Sequence, residues 1–161
     1  EARLHGDRHH GDPAGRFAGR NRRSYRRAGN SRPDGQHGHF PGLAQRGVPY
    51  SWGGGGIDGP SLGTGDGATI VGFDASGLIQ YIYAGVGAKL PRSSGAMYTV
   101  GQRVTPAQAP PADLIFYGPE GTESVSMFLG NNQMLEVTDT GVAVSPVRTT
   151  GMAPYLVRII A

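Results

Sequence analysis

Polar and apolar residues change their spacing twice along this chain. Up to about residue 42, apolar residues are sparse and follow neither a helical nor a strand period. Such a stretch cannot bury enough apolar surface to offset the entropy of ordering it, so residues 1–42 are predicted to form a disordered arm. From Asp74 the pattern turns helical. Leu78, Ile79 and Ile82 form one apolar stripe, Asp74 stands where an N-cap belongs, and Gly85 and Gly87 follow as stop signals. After Pro111 the spacing becomes that of strands. Short β-prone runs occupy residues 114–117, 125–129, 134–137, 142–147 and 155–160. Gly130-Asn131-Asn132 and Asp139-Thr140-Gly141 separate the second to fourth of these and predict hairpins. One helix ahead of about five antiparallel strands is an α+β layout, and residues 43–161 are read as one domain.

Composition refines this picture at three points. The chain of 161 residues has 28 glycines and 12 prolines, which favours turns and loops. Nine of the glycines fall between Gly53 and Gly72, but no Gly-Lys-Ser/Thr follows and no strand leads in, so a surface loop beside a groove is expected rather than a phosphate cradle. Ten of the 15 basic residues and only four of the 12 acidic ones lie in residues 1–46. The net charge of +3 therefore belongs to the front of the chain and does not argue for nucleic acid as the domain's partner. There is no cysteine, which excludes disulfides and thiolate metal sites. No charged start followed by a long apolar run is found, so neither a signal peptide nor a membrane span is expected in the sequence as it stands.

Six segments carry a more specific signal. They are Gly47-Val48-Pro49-Tyr50-Ser51-Trp52-Gly53-Gly54, Phe73-Asp74-Ala75-Ser76-Gly77-Leu78, Leu90-Pro91-Arg92-Ser93-Ser94, Pro111-Ala112-Asp113-Leu114-Ile115-Phe116-Tyr117, the run Ser124-Val125-Ser126-Met127-Phe128-Leu129-Gly130, and Met134-Leu135-Glu136. In this order they resemble the motifs of the NlpC/P60 cysteine peptidases, which cut the peptide stems of bacterial cell-wall peptidoglycan. Within that family the chain is similar to the invasion-associated P60 proteins of mycobacteria. The resemblance implies a papain-like core, a helix packed on an antiparallel sheet of about five strands. It also implies a secreted protein of the cell wall or cell surface, without cofactor or metal.

The resemblance also shows what has changed. The family's nucleophile is the cysteine of F-D-C-S-G-L, and Ala75 stands there. The family's base is the histidine that opens the strand H-V-x-[IM]-[YF]-[LI]-G, and Ser124 stands there. All five histidines (His5, His9, His10, His37, His39) precede the domain. Glu136 matches the third polar position, so a Cys-His-Glu set becomes Ala75-Ser124-Glu136. A cysteine hydrolase needs a thiolate, which a helix N-terminus and an imidazole generate. Alanine has nothing to ionise.

Ligand recognition can outlast the chemistry. Tyr50 matches the family tyrosine that faces the nucleophile, with a core-edge aromatic as the plainer reading. Asp74 and Ser76 match the region that reads the amino end of the stem, and both also suit helix capping. Arg92, Ser93 and Ser94 are placed at the border of the groove. Trp52 is expected to pack under the loop, and Asp113 to close the turn before its strand. A helix start and an arginine could hold the stem's carboxylates, and Asp74 an amine. The expected function is a non-catalytic domain, a monomer that binds stem peptides or muropeptides. Two alternatives stand beside it. One is an active wall peptidase, working through Ser76, Ser124 or Ser126 or carrying an alanine introduced for a natural cysteine. The other is an interaction module that regulates wall hydrolases.

Overall fold

The computed structural model describes residues 41–159. The arm expected over residues 1–42 lies almost wholly outside them. The 3-10 turn Pro41–Gln45 leads in, with Gly42 buried against Ile82 and Leu135. The helical pattern yields α1, Ala75–Ala84, capped by Asp74, whose side chain accepts from the Gly77 N–H. A second, short helix, α2, spans Ser94–Met97, and the Ser93 hydroxyl caps it by accepting from the Ala96 N–H.

Eight strands appear among the described residues. β1 (Ser61–Leu62) and β2 (Val71–Gly72) make a small antiparallel pair inside the glycine-rich loop. The main sheet contains β3 (Gln102–Val104), β4 (Leu114–Tyr117), β5 (Ser124–Gly130), β6 (Gln133–Thr138), β7 (Gly141–Pro146) and β8 (Leu156–Arg158). Its order is β3-β8-β4-β5-β6-β7, with antiparallel neighbours throughout. The α+β layout and the five expected strands are present. The sixth, β3, carries only three residues and two of them are exposed, so alternation gives no sign of it.

Hairpin chemistry matches the sequence. Asn131 and Asn132 both adopt positive φ, at 53° and 59°, in the two-residue connection from β5 to β6. Asparagine tolerates that region better than most side chains do.

Alternation along the central strands builds a core on each face. Leu114, Phe116, Val125, Met127, Leu129 and Leu135 pack with Phe73, Leu78, Ile79 and Ile82 on the helix side. Ile115, Tyr117, Met134 and Leu156 form a second cluster on the other face. Asp113 does more than close a turn. It is 2% exposed and accepts from Nε and Nη2 of Arg158, each at 3.2 Å, joining β4 to β8. A buried carboxylate needs such a partner.

Two stability tests follow. Leu135 is fully buried at the helix–sheet interface, so Leu135→Ala is expected to cost about 2–5 kcal/mol in chemical denaturation. Tyr83 donates to the Ala112 carbonyl, and burial followed by the Asp113 carboxylate pushes its phenol from 10.0 to about 12. A pKa raised by folding gives stability that is complete below the unfolded value and lost as pH climbs towards the folded one. The wild type should therefore lose stability between pH about 10 and about 12, and Tyr83→Phe should flatten that decline. Urea midpoints measured from pH 8 to 12 decide it.

Candidate functional site

The site is built where the segment 49–54 runs beside the start of α1. The Phe73 N–H donates to the Pro49 carbonyl at 3.1 Å, the Ser51 N–H to Phe73 at 3.0 Å, and the Asp74 N–H to Gly54 at 2.9 Å. Glycine makes this approach possible. A Cβ on Gly72 would strike the Pro49 carbonyl, and one on Gly77 would strike that of Gly54. The buried Ser51 hydroxyl donates to the carbonyls of Gly67 and Ile70 and anchors the glycine-rich loop.

Asp74 and Arg92 lock the joint. Oδ1 of Asp74 accepts from the Gly77 N–H at 2.7 Å and faces Arg92 Nη2 at 3.0 Å. Arg92 also donates through Nη1 to the Ser76 hydroxyl at 2.6 Å, and through Nη2 to the carbonyls of Gly53 and Gly54. Its guanidinium is committed to backbone and capping groups, and Arg92 is not among the residues that line the groove.

The groove itself has a volume of about 400 Å³. Tyr50, Trp52 and Gly53 form one part of its lining; Asp74, Ala75 and Ser76 bring the start of α1. Ser93 and Ser94 open α2, and Thr122, Glu123 and Ser124 lead into β5. The Ser94 hydroxyl donates to the Gly121 carbonyl at 2.7 Å, which ties α2 to that last segment. Ala75 and Ser124, far apart in sequence, thus line one cavity. Tyr50 has its phenol raised above the usual tyrosine value, first by burial and then by the carboxylates of Asp74, Asp139 and Asp66. It stays a hydrogen-bond donor at neutral pH.

The expectations for Arg92 and Trp52 change. Trp52 does not pack under the loop; it is 61% exposed and lines the groove. Glu136 does not reach the groove lining either. Leu135 faces the helix-side core, so alternation turns Glu136 to the face of Met134. There its Oε1 accepts from Arg148 Nη1 at 3.1 Å, and the guanidinium lies 4.6 Å over the Tyr117 ring. Sequence reasoning missed Thr122 and Glu123. They sit in a turn ahead of β5 and only the sheet brings them to α1.

Comparison with known proteins fits this geometry. Residues 47–161 match the NlpC/P60 family. The chain is 55% identical over 121 residues to the peptidoglycan endopeptidase RipA of Mycobacterium tuberculosis, covering 74% of this chain and 26% of that protein. It is 56% identical over 119 residues to the peptidoglycan endopeptidase RipB of the same species, covering 73% of this chain and 49% of that protein. The chain thus spans half the length of these curated relatives or less. Among solved structures, a P60 domain from a Mycobacterium avium paratuberculosis antigen is 73% identical with a TM-score of 0.73, covering 74% of this chain and 87% of that one. RipD of M. tuberculosis, described as a non-catalytic NlpC/p60 domain protein adapted to peptidoglycan binding, is 70% identical with a TM-score of 0.72, covering 74% and 92%.

The chain belongs to the NlpC/P60 family, a family of peptidoglycan hydrolases.

Substitution at Asp74 separates its two duties. Asp74→Asn keeps a capping oxygen and loses only a partly exposed ion pair, so it should cost under about 1 kcal/mol. Asp74→Ala removes both and should cost about 1–2 kcal/mol. Thermal or urea denaturation of the pair reads the difference, and equal losses would show that the cap contributes nothing.

Proposed function

We propose that this domain binds peptidoglycan stem peptides or muropeptides without cleaving them, as part of a secreted protein of the mycobacterial cell wall. One observation carries the reading. Ala75 and Ser124 line a common groove at the family's nucleophile and base positions, and neither side chain can do that chemistry. No other thiol can substitute, since the chain has no cysteine. Loss of a triad nucleophile costs on the order of 10⁶ in turnover, close to background for an amide bond.

The hydroxyls near the groove offer no replacement. Ser76 accepts from the Arg92 guanidinium, and no imidazole stands among the described residues. Ser126 is buried and donates to the Met134 sulfur at 3.2 Å. Ser124 borders the groove with no imidazole among the described residues beside it, and Glu136, at the family's third position, is paired with Arg148. A serine nucleophile needs a general base within reach.

The recognition surface is intact. Helices leave their first N–H groups without intrahelical acceptors, and α1 directs that end at the groove beside Ala75. The Tyr50 phenol supplies another donor, and the serines of α2 line the same cavity. RipD, so similar in sequence and structure, is described as having made this adaptation.

Purified domain should sediment with insoluble peptidoglycan and release no product from muropeptides by mass spectrometry. Ala75→Cys should remain inactive, because the thiol still lacks an imidazole. Cleavage by Ala75→Cys alone would identify the alanine as an introduced change and sink the reading. Failure to sediment above a ligand-free control would do so independently.

A further inference from the structure

One buried hydroxyl has the glycine-rich loop wrapped around it. Ser51 is 0% exposed, and its proton is shared between the carbonyls of Ile70, at 2.7 Å, and Gly67, at 3.2 Å. Four glycines crowd the same point. A Cβ on Gly54, Gly63 or Gly67 would stand 2.7 Å from the Ser51 Oγ, and one on Gly72 would stand 3.3 Å from the Ser51 Cβ. None of the four adopts a positive φ, so their backbone conformation does not call for glycine. Lack of space does. Gly63 and Gly67 also abut the Trp52 main chain, where a Cβ on either would strike the Trp52 carbonyl oxygen. The Thr64 N–H donates to that oxygen at 2.8 Å. The loop thus clasps Trp52 by its backbone and leaves the ring exposed in the groove lining.

Hydrophobic burial does not hold this loop. Its large apolar residues Ile57, Leu62, Ile70 and Val71 are exposed, and neither core cluster contains any of them. A segment with so little buried apolar surface draws its order from hydrogen bonds and close backbone packing. Both converge on the Ser51 hydroxyl. Removing it takes a donor from two carbonyls, and an unsatisfied buried acceptor is disfavoured. We propose that Ser51 is the positioning residue of the groove. It holds the loop 53–72 around the Trp52 main chain and so sets the Trp52 ring at the site, although Ser51 lines no part of the cavity itself. Ligand affinity then depends on a side chain that the ligand does not touch. This role rests on the peptidoglycan-binding reading for the identity of the ligand. It also accounts for four glycines of the loop that no turn requires.

Ser51→Ala tests it, with Ile115→Val as control and insoluble peptidoglycan as probe. Ile115 is 1% exposed in the cluster on the sheet face away from α1, so its truncation lowers stability without touching the loop. Amide spectra establish that each protein is folded. The amount of peptidoglycan that sediments half the protein should rise about fivefold or more for Ser51→Ala, the factor that one hydrogen bond is worth. Ile115→Val should match the wild type. Trp52, the single tryptophan of the chain, reports the loop without any ligand. Its fluorescence anisotropy should fall in Ser51→Ala and hold in Ile115→Val. If Ser51→Ala does not fold, Gly67→Ala carries the test. It keeps the hydroxyl but drives a methyl against it and against the Trp52 main chain, with the same two losses expected. Three results overturn the inference and spare the broader reading: a smaller loss of binding in the loop variant, an unchanged anisotropy, or an equal loss of binding in Ile115→Val. A wild type that does not sediment removes both.

Discussion

The groove depends on one close contact between main chains. The segment 49–54 lies against residues 72–77 at a distance that only glycine permits at Gly72 and Gly77, and three backbone hydrogen bonds hold it there. Interiors tolerate little extra volume, so a single methyl at either point would push the segment away. That contact sets Tyr50 and Trp52 beside the first turn of α1. Asp74 and Arg92 then fix the joint from the side. A family tyrosine and a nucleophile position many residues apart are neighbours because of this seam.

The ion pairs tell a consistent story. Each joins segments distant in sequence: Arg92 to the start of α1, Arg158 of β8 to the turn before β4, Arg148 to β6. All three carboxylates are largely withdrawn from water, where an unpaired charge is costly. These charges serve architecture. What remains for a ligand is a set of donors, two aromatic rings and Glu123. On the proposed reading, recognition rests on residues other than Ala75 and Ser124, so a hydrolase scaffold without bond cleavage would keep a binding surface.

The serine at the family's base position has a structural counterpart on the sheet. Glu136 keeps its place in β6, yet its carboxylate faces Arg148 and the Tyr117 ring on the side away from the helix. A carboxylate in that place can orient an imidazole only if one stands beside it. With Ser124 at the strand start, the guanidinium is its partner.

Much of the domain was legible in the residues. The helix is written in Asp74, the Leu78-Ile79-Ile82 stripe and the glycines behind it. The central strands show in their β-prone runs and in Asn131-Asn132, since short-range stereochemistry and a period of two are local properties. Motif order placed Ala75 and Ser124 at the family's nucleophile and base positions. Three things were decided only by the tertiary structure. β3 pairs because β8 offers it an edge, Trp52 stands exposed at the groove, and Arg92 turns inward because two carbonyls and Asp74 converge on it. The same holds for Glu123, whose position in the groove comes from packing α2 against the turn before β5. Sequence fixes which groups exist and how each short segment bends. Which of them share a cavity, and which charges cancel before a ligand arrives, follows from contacts between segments that no local pattern encodes.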